Sequence, residues 1–229
     1  MSPSTAPALS RSLVHAGRVV RPELLDRLPQ DSSAAISSRR DLRIINRVLG
    51  NIAWFRQTLR QQHRSGEKLL EIGAGDGTLG ETLRPIVSGL AGLDLVRRPS
   101  AWPLDASWFE TDVFDFAGWA DFPIVIGNLF FHHFDSSELS RLGVFLNEHA
   151  RLIVASEPLR TRRTQRLFSL LCTLVRAHPV TRHDGHVSIE AGFRTDELPR
   201  LLCIDSKVWE WTVEETSIGS CRMVAKRCP

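Results

Sequence analysis

The segment from Leu69 to Gly80 closes an apolar run on Glu71 and then sets Gly73, Gly75 and Gly77 at alternate positions, with Ala74 and Asp76 between them. Glycines placed directly after a strand let a ligand lie against the backbone, and the free N–H groups of a following helix face that ligand. Two ligand chemistries are open here. The stretch from Gly75 to Gly80 fits the G-x-G-x-x-G dinucleotide pattern, which would make the chain a nicotinamide-dependent oxidoreductase. Glu71 speaks against that ligand, because a carboxylate repels a pyrophosphate and attracts an ammonium or a sulfonium.

Histidines form the second chemically capable group. His132 and His133 follow the apolar run that starts at Phe122, His183 adjoins Asp184, and His186 lies three residues on. Imidazole takes or gives a proton near neutral pH, and with no tyrosine in the chain the remaining acid–base candidates are carboxylates. Plainer roles stand beside these. The paired histidines can cap or pack the next helix, and residues 177–190 read as a polar surface loop. Trp54, Phe55, Phe130, Phe131 and Phe134 can wall an aromatic acceptor or fill the core. Glu157 and Pro158 read as the end of a strand.

Positioning these residues requires a sheet. After Gly66, short apolar runs at 68–72, 89–95, 107–110, 122–127 and 151–156 alternate with helical patterns at 78–87, 136–149, 160–176 and 195–203. Strands buried on both faces and separated by helices imply a parallel sheet, and the last two runs, near the end of the chain, read as a hairpin. Ahead of them, apolar residues from Leu42 to Phe55 recur at steps of three and four, the pattern of one amphipathic helix with Gly50 as its weak point. A short helix is expected before Pro29, and residues 1–20 read as a loosely held lead.

The 229 residues, 42% hydrophobic and 24% charged, are enough to bury one full-sized core. No apolar run reaches the roughly 18 residues of a membrane span, and the N-terminal segment lacks a signal-peptide core, so a cytoplasmic location is expected. The four cysteines have neither CxxC nor metal-ligand spacing, so neither a disulfide framework nor a metal is expected. Residues 1–64 carry eleven arginines and no lysine against four acids, while the rest of the chain is net acidic. That arm reads as a solvated helix face, and no nucleic-acid partner is expected, since no aromatic ladder accompanies the charge.

The order Glu71-x-Gly73-x-Gly75-x-Gly77 resembles the signature of class I S-adenosylmethionine-dependent methyltransferases. The resemblance implies that Glu71 lies near the ammonium end of the cofactor, with Gly73, Ala74, Gly75 and Gly77 beneath its amino-acid and ribose parts. It implies ribose contacts from Asp94, with Leu95 beside it. Asp112 and Val113 would meet the adenine, and Asn128 and Leu129 would sit beside the methionine moiety. It implies an α/β, Rossmann-like sheet of seven strands in the order 3-2-1-4-5-7-6, strand 7 antiparallel, with helices on both faces and an N-terminal helical lid. Residues 1–62 would form the arm and lid, residues 63–229 the methyltransferase domain, and about 160–190 a substrate-covering insert.

The stretch after the fourth strand resembles the text of small-molecule O-methyltransferases, in which the first histidine is a base, here His132. Residues 38–46 and 181–185 resemble bacterial methyltransferases encoded beside type III polyketide synthases, whose products are phenolic. The implied activity is methyl transfer from S-adenosylmethionine, leaving S-adenosylhomocysteine, to the hydroxyl of an aromatic or polyketide-derived small molecule. His132, His133 or His183 would be the base, and Arg40, Asn46, Trp54, His183 and His186 would contact the acceptor. C- or N-methylation of another small acceptor, and a non-catalytic cofactor-binding module, stay open, as does a monomeric or homodimeric state.

Overall fold

In the computed structural model, residues 17–100 and 102–228 are described; most of the expected N-terminal lead lies outside them. The sheet consists of β1 (Leu69–Ile72), β2 (Leu90–Asp94), β3 (Ser107–Glu110), β4 (Ile124–Asn128), β5 (Leu152–Pro158), β6 (Trp209–Glu215) and β7 (Ser220–Arg227). Their order is β3-β2-β1-β4-β5-β7-β6, as the resemblance implies. The first five run parallel, and β7 is antiparallel to both β5 and β6.

Alternation along the strands divides the core between two helix layers. Leu70, Ile72, Val125 and Ile153 face the cluster containing Leu139, Leu142 and Leu146 of α4 (Ser136–His149). Leu69, Ile124, Ile126, Leu152 and Val154 face Phe55 and Leu59 of α2 (Asn51–Gln62) and Leu79 and Leu83 of α3 (Thr78–Leu83). Two-sided burial explains why these strands read as continuous apolar runs. Strand order reverses between β1 and β4, the place where open α/β sheets bind ligands. The glycine turn and the two histidines both follow those strands.

The pattern expected to give one long helix gives two. Gly50 adopts φ +66° and separates α1 (Ser33–Val48) from α2. The first helix covers the carboxyl end of the sheet; the second joins a helix layer, with Phe55 and Leu59 fully buried. The short helix expected before Pro29 is a single 3-10 turn, Leu25–Arg27.

The polar stretch read as a surface loop is instead α6 (Pro179–Ala191), which packs against α5 (Arg162–Leu174) and α1. Pro179 starts it at the position where a missing N–H is harmless, and His178 Nδ1 caps it by accepting from Val180 N at 3.2 Å. Its polar residues are tied down: Thr181 Oγ1 donates to Asp41 Oδ2 at 3.1 Å and lies 2.8 Å from Ser38 Oγ. A polar sequence thus makes a buried helix because its partners lie on α1.

Close packing of α4 on α7 (Glu197–Leu201) supplies a test of the fold. A Cβ on Gly143 would stand 2.2 Å from the Leu202 carbonyl oxygen. Gly143→Ala is expected to destabilise the protein by ~1–3 kcal/mol, against the gain of about 1 kcal/mol that the change gives in an open helix. Urea unfolding measures it, and a higher midpoint would contradict the close approach.

Candidate active site

Two cavities meet beyond the carboxyl ends of β1, β4 and β5. The first, about 600 Å³, is lined by Glu71, Gly73, Ala74, Gly75, Asp94, Leu95, Asn128 and Leu129, with Asn46 and Arg43 of α1 above. The second, about 360 Å³, is mostly apolar, between Leu42 and Ile45 of α1, Leu167, Phe168 and Leu171 of α5, and one face of α6. Leu25, Asp26, Leu42 and Leu129 line both. Leu129 holds φ +55°, a conformation that ordinarily costs a non-glycine residue about 1–3 kcal/mol, and its N–H donates to Ser156 O at 2.9 Å.

The glycine turn forms the floor of the larger cavity. Gly73, Gly75 and Gly77 all adopt positive φ. Asp94 braces the turn, with Oδ2 accepting from Gly75 N at 2.7 Å and Oδ1 from Val96 N at 3.1 Å. Gly80, which completed the dinucleotide pattern, has a different origin. A Cβ there would stand 2.3 Å from the Trp102 ring, so packing demands the glycine and no pyrophosphate is implied. Arg43 reaches across from α1 to Asp76 Oδ2 at 2.7 Å.

Glu71 is buried on the α2–α3 side of β1, and its Oε2 has no hydrogen-bond partner. Burial, followed by repulsion from Asp76 and Asp94, raises its pKa well above the ordinary carboxylate value. A buried carboxylate on a cavity wall that accepts one backbone N–H, from Gly80, and pairs with no cation is a place for a cationic group. Asn128 is held in a triangle: Asn51 Nδ2 donates to Asn46 and Asn128, and Asn128 Nδ2 donates to Asn46, each at 3.1 Å. Asn51, which the sequence reading passed over, also accepts from Ser156 and Ser220 hydroxyls.

His132 stands on the wall of the apolar cavity, 3% exposed, between two carboxylates. Its Nδ1 lies 2.7 Å from Glu157 Oε2 and its Nε2 3.4 Å from Glu23 Oε1. Glu157 does more than end a strand. It is fully buried and accepts the backbone N–H groups of Phe130, Phe131 and His132 as well. Burial opposes charge on His132, but hydrogen bonds to Glu157 and Glu23 outweigh it and hold the imidazole pKa up at about 9. Burial likewise opposes charge on Glu23, but hydrogen bonds from His132 and His133 bring its pKa below the ordinary value. Ser188 Oγ also donates to Glu23.

The remaining expected residues divide between the cavity and places outside it. His133 lines the same cavity, with Nδ1 3.0 Å from Phe130 O. His183 is half-exposed, pairs with Asp184 at 2.9 Å and is not among the lining residues; Asp184 lines the cavity in its stead, accepting from Leu24 N and Leu25 N. His186 lies 3.1 Å from Ser169 Oγ, outside the lining, because helical spacing turns positions 183 and 186 away from Asp184 and Ser188. Arg40 pairs with Asp41, and Trp54 packs edge-on against Phe55 beneath Arg222, so neither meets the cavities. Asp112 accepts from Phe114 N at 2.8 Å and Val113 is core, both beyond the lining; Gly77 supports the turn against Trp102.

No family model and no curated protein matches the chain. Solved structures do. The plantazolicin methyltransferase BamL, in complex with a triazolic desmethylPZN analog and SAH, superposes with TM-score 0.67 at 10% identity over 89% of this chain and 92% of its own. BpumL, another plantazolicin methyltransferase, solved with a triazolic analog and SAH, gives 0.63 at 12% identity over 83% and 91%. Magnesium protoporphyrin IX methyltransferase (ChlM) from Synechocystis PCC 6803 with bound SAH gives 0.51 at 15% identity over 89% and 91%. The fold is one that solved methyltransferases share.

Glu71 yields a test that needs no ligand. Its native pKa lies above the 4.5 of an ordinary glutamate, so above that pH the folded state keeps a proton the unfolded state loses, and stability falls as pH rises, by about 1.4 kcal/mol per unit of difference. Glu71→Gln, which still accepts from Gly80 N–H, is expected to abolish this fall and to be the more stable protein at pH 8. Denaturant unfolding at pH 5 and pH 8 checks it; identical pH slopes for the two proteins would contradict the buried, unpaired carboxylate.

Proposed function

We propose that the chain is an S-adenosylmethionine-dependent methyltransferase acting on the hydroxyl of a small aromatic or polyketide-derived molecule. The observation that carries this reading is the pair of cavities meeting at Leu129, one floored by the glycine turn and an unpaired buried carboxylate, the other apolar with His132 on its wall. The structural neighbours with bound SAH support the cofactor. Their names give other acceptors, plantazolicin and magnesium protoporphyrin IX, so the acceptor class here is inferred from the second cavity.

When bound, S-adenosylmethionine supplies an electrophilic methyl group on a sulfonium. Glu71 would face its ammonium, Asp94 its ribose hydroxyls and Asn128 its methionine portion. Between the cavities, the chain's task is to hold donor and acceptor in line, an effect worth roughly 7–11 kcal/mol. Leu42, Ile45, Leu167 and Phe168 exclude water and clasp a flat ring.

A hydroxyl acceptor must also lose its proton. Glu157 fixes the His132 ring so that Nε2 faces the cavity, where Glu23 now holds it. An acceptor hydroxyl taking Glu23's place at Nε2 would remove one of the two interactions that keep the imidazole charged, and His132 could then accept the proton. A phenol with pKa near 10 is only about one part in a thousand ionised at pH 7, so such a base contributes about 10²–10⁴-fold.

Two measurements test this reading. Asp94→Ala removes charge-assisted contacts of about 1.5–3 kcal/mol each, so S-adenosylhomocysteine is expected to bind at least ~10-fold more weakly by calorimetry; unchanged affinity would reject the cofactor placement. His132→Ala is expected to lower turnover of a phenolic acceptor by about 10²-fold or more at pH 7 and far less at pH 10, where the phenol ionises unaided. Unaltered cofactor affinity controls for folding, and equal losses at both pH values would make His132 a positioning group.

A further inference from the structure

Beside His132, the same wall presents His133 and the Glu23 carboxylate. One ligand atom from each of the three lies within 4.8 Å of the others. Glu23 Oε1 is 3.4 Å from His132 Nε2, and Oε2 is 3.8 Å from His133 Nε2. These residues come from two distant segments, the arm and the turn after β4, so their convergence is a product of the tertiary fold.

Tautomers make the convergence chemically specific. The Phe130 carbonyl, 3.0 Å from His133 Nδ1, can only accept, so in the neutral ring the hydrogen sits on Nδ1 and the lone pair on Nε2. The Glu157 carboxylate imposes the same choice on His132 at 2.7 Å. A carbonyl or carboxylate behind each imidazole is the arrangement that orients metal-ligating histidines and raises their basicity. Charge points the same way: Glu23, Asp26 and Asp184 line the cavity beside the two histidines, and Glu157 stands behind His132.

We propose that Glu23, His132 and His133 bind one divalent cation of the zinc class, whose free coordination position takes the acceptor's oxygen. Two imidazoles and one carboxylate suit zinc and its neighbours, whereas magnesium and calcium prefer all-oxygen sites. Three protein ligands leave a tetrahedral ion one open position, and all three residues line the apolar cavity. Coordination there would lower the pKa of the acceptor hydroxyl. The O–H bond would break, the proton passing to water and the electron pair staying on oxygen. The open position rests on the acceptor assignment above; the cation site itself does not. In the metal-free chain the proton passes to His132 instead.

Cobalt(II) serves as the probe, because its visible absorption distinguishes a tetrahedral protein site from the hydrated ion. Chelator-stripped protein is expected to bind one Co²⁺ per chain with intense visible bands that Zn²⁺ displaces and added phenol shifts. Glu157→Gln, which ligates nothing, should weaken binding about 10–100-fold, and Glu23→Gln and His133→Gln at least as much, with folding checked by thermal unfolding in chelator. A spectrum that stays that of hydrated cobalt, or binding indifferent to Glu23→Gln and His133→Gln, overturns the site. Cobalt that fails to bind while His132→Ala still suppresses turnover in chelator defeats the cation and spares the proton-transfer reading. Cobalt that binds while His132→Ala leaves that turnover intact does the reverse.

Discussion

Both cavities depend on one buried carboxylate. Glu157, at the end of β5, collects three consecutive backbone N–H groups from Phe130 to His132 together with His132 Nδ1. A carboxylate side chain with no exposure is tolerable only when its acceptor sites are filled in this way. The consequence is geometric. The turn after β4 is pinned to the end of β5, just past the left-handed Leu129, and His132 is aimed at the space under the arm.

The arm is fastened by the same kind of interaction. Asp41 of α1 is buried and accepts from His178 N at 2.7 Å and from Thr181 Oγ1, while Asp184 of α6 accepts from Leu24 N and Leu25 N. Two carboxylates therefore lock arm and α6 to each other, each using the other element's backbone donors. Hydrogen bonds to charged groups are worth about 1.5–3 kcal/mol each, enough to hold segments that bury few apolar side chains against the sheet.

The parallel sheet with its closing hairpin, the glycine turn and the place of His132 were legible in the sequence because each rests on local text: apolar runs between helical patterns, alternate glycines, histidines after the fourth run; the strand order came from the family resemblance. What escaped reading depends on partners far along the chain. Residues 177–190 look like a loop because Thr181 and Asp184 are polar, and nothing nearby says that Asp41 and the Leu24–Leu25 backbone will satisfy them. Glu157 looks like a strand terminus for the same reason, since its partners lie 25 to 27 residues back. The single long helix failed at Gly50, where apolar periodicity continues through a residue whose φ of +66° breaks the axis. Trp54, marked for a ring-shaped acceptor, follows that break onto the other layer.

The shared wall at Leu129 separates two kinds of surface with different tolerance for change. On the side of the larger cavity the lining is largely strand ends and a glycine turn, where Gly73 has no room for a Cβ beside Phe130. On the other side it comes from α1, α5, α6 and the arm, helices that stand outside the sheet and meet the cavity with interchangeable aliphatic side chains such as Ile45, Leu167 and Leu171. Exchanges among them would resize the smaller chamber by a methylene or a ring and leave the larger one intact. Such a division lets descendants of one sequence reshape one chamber while inheriting the other unchanged.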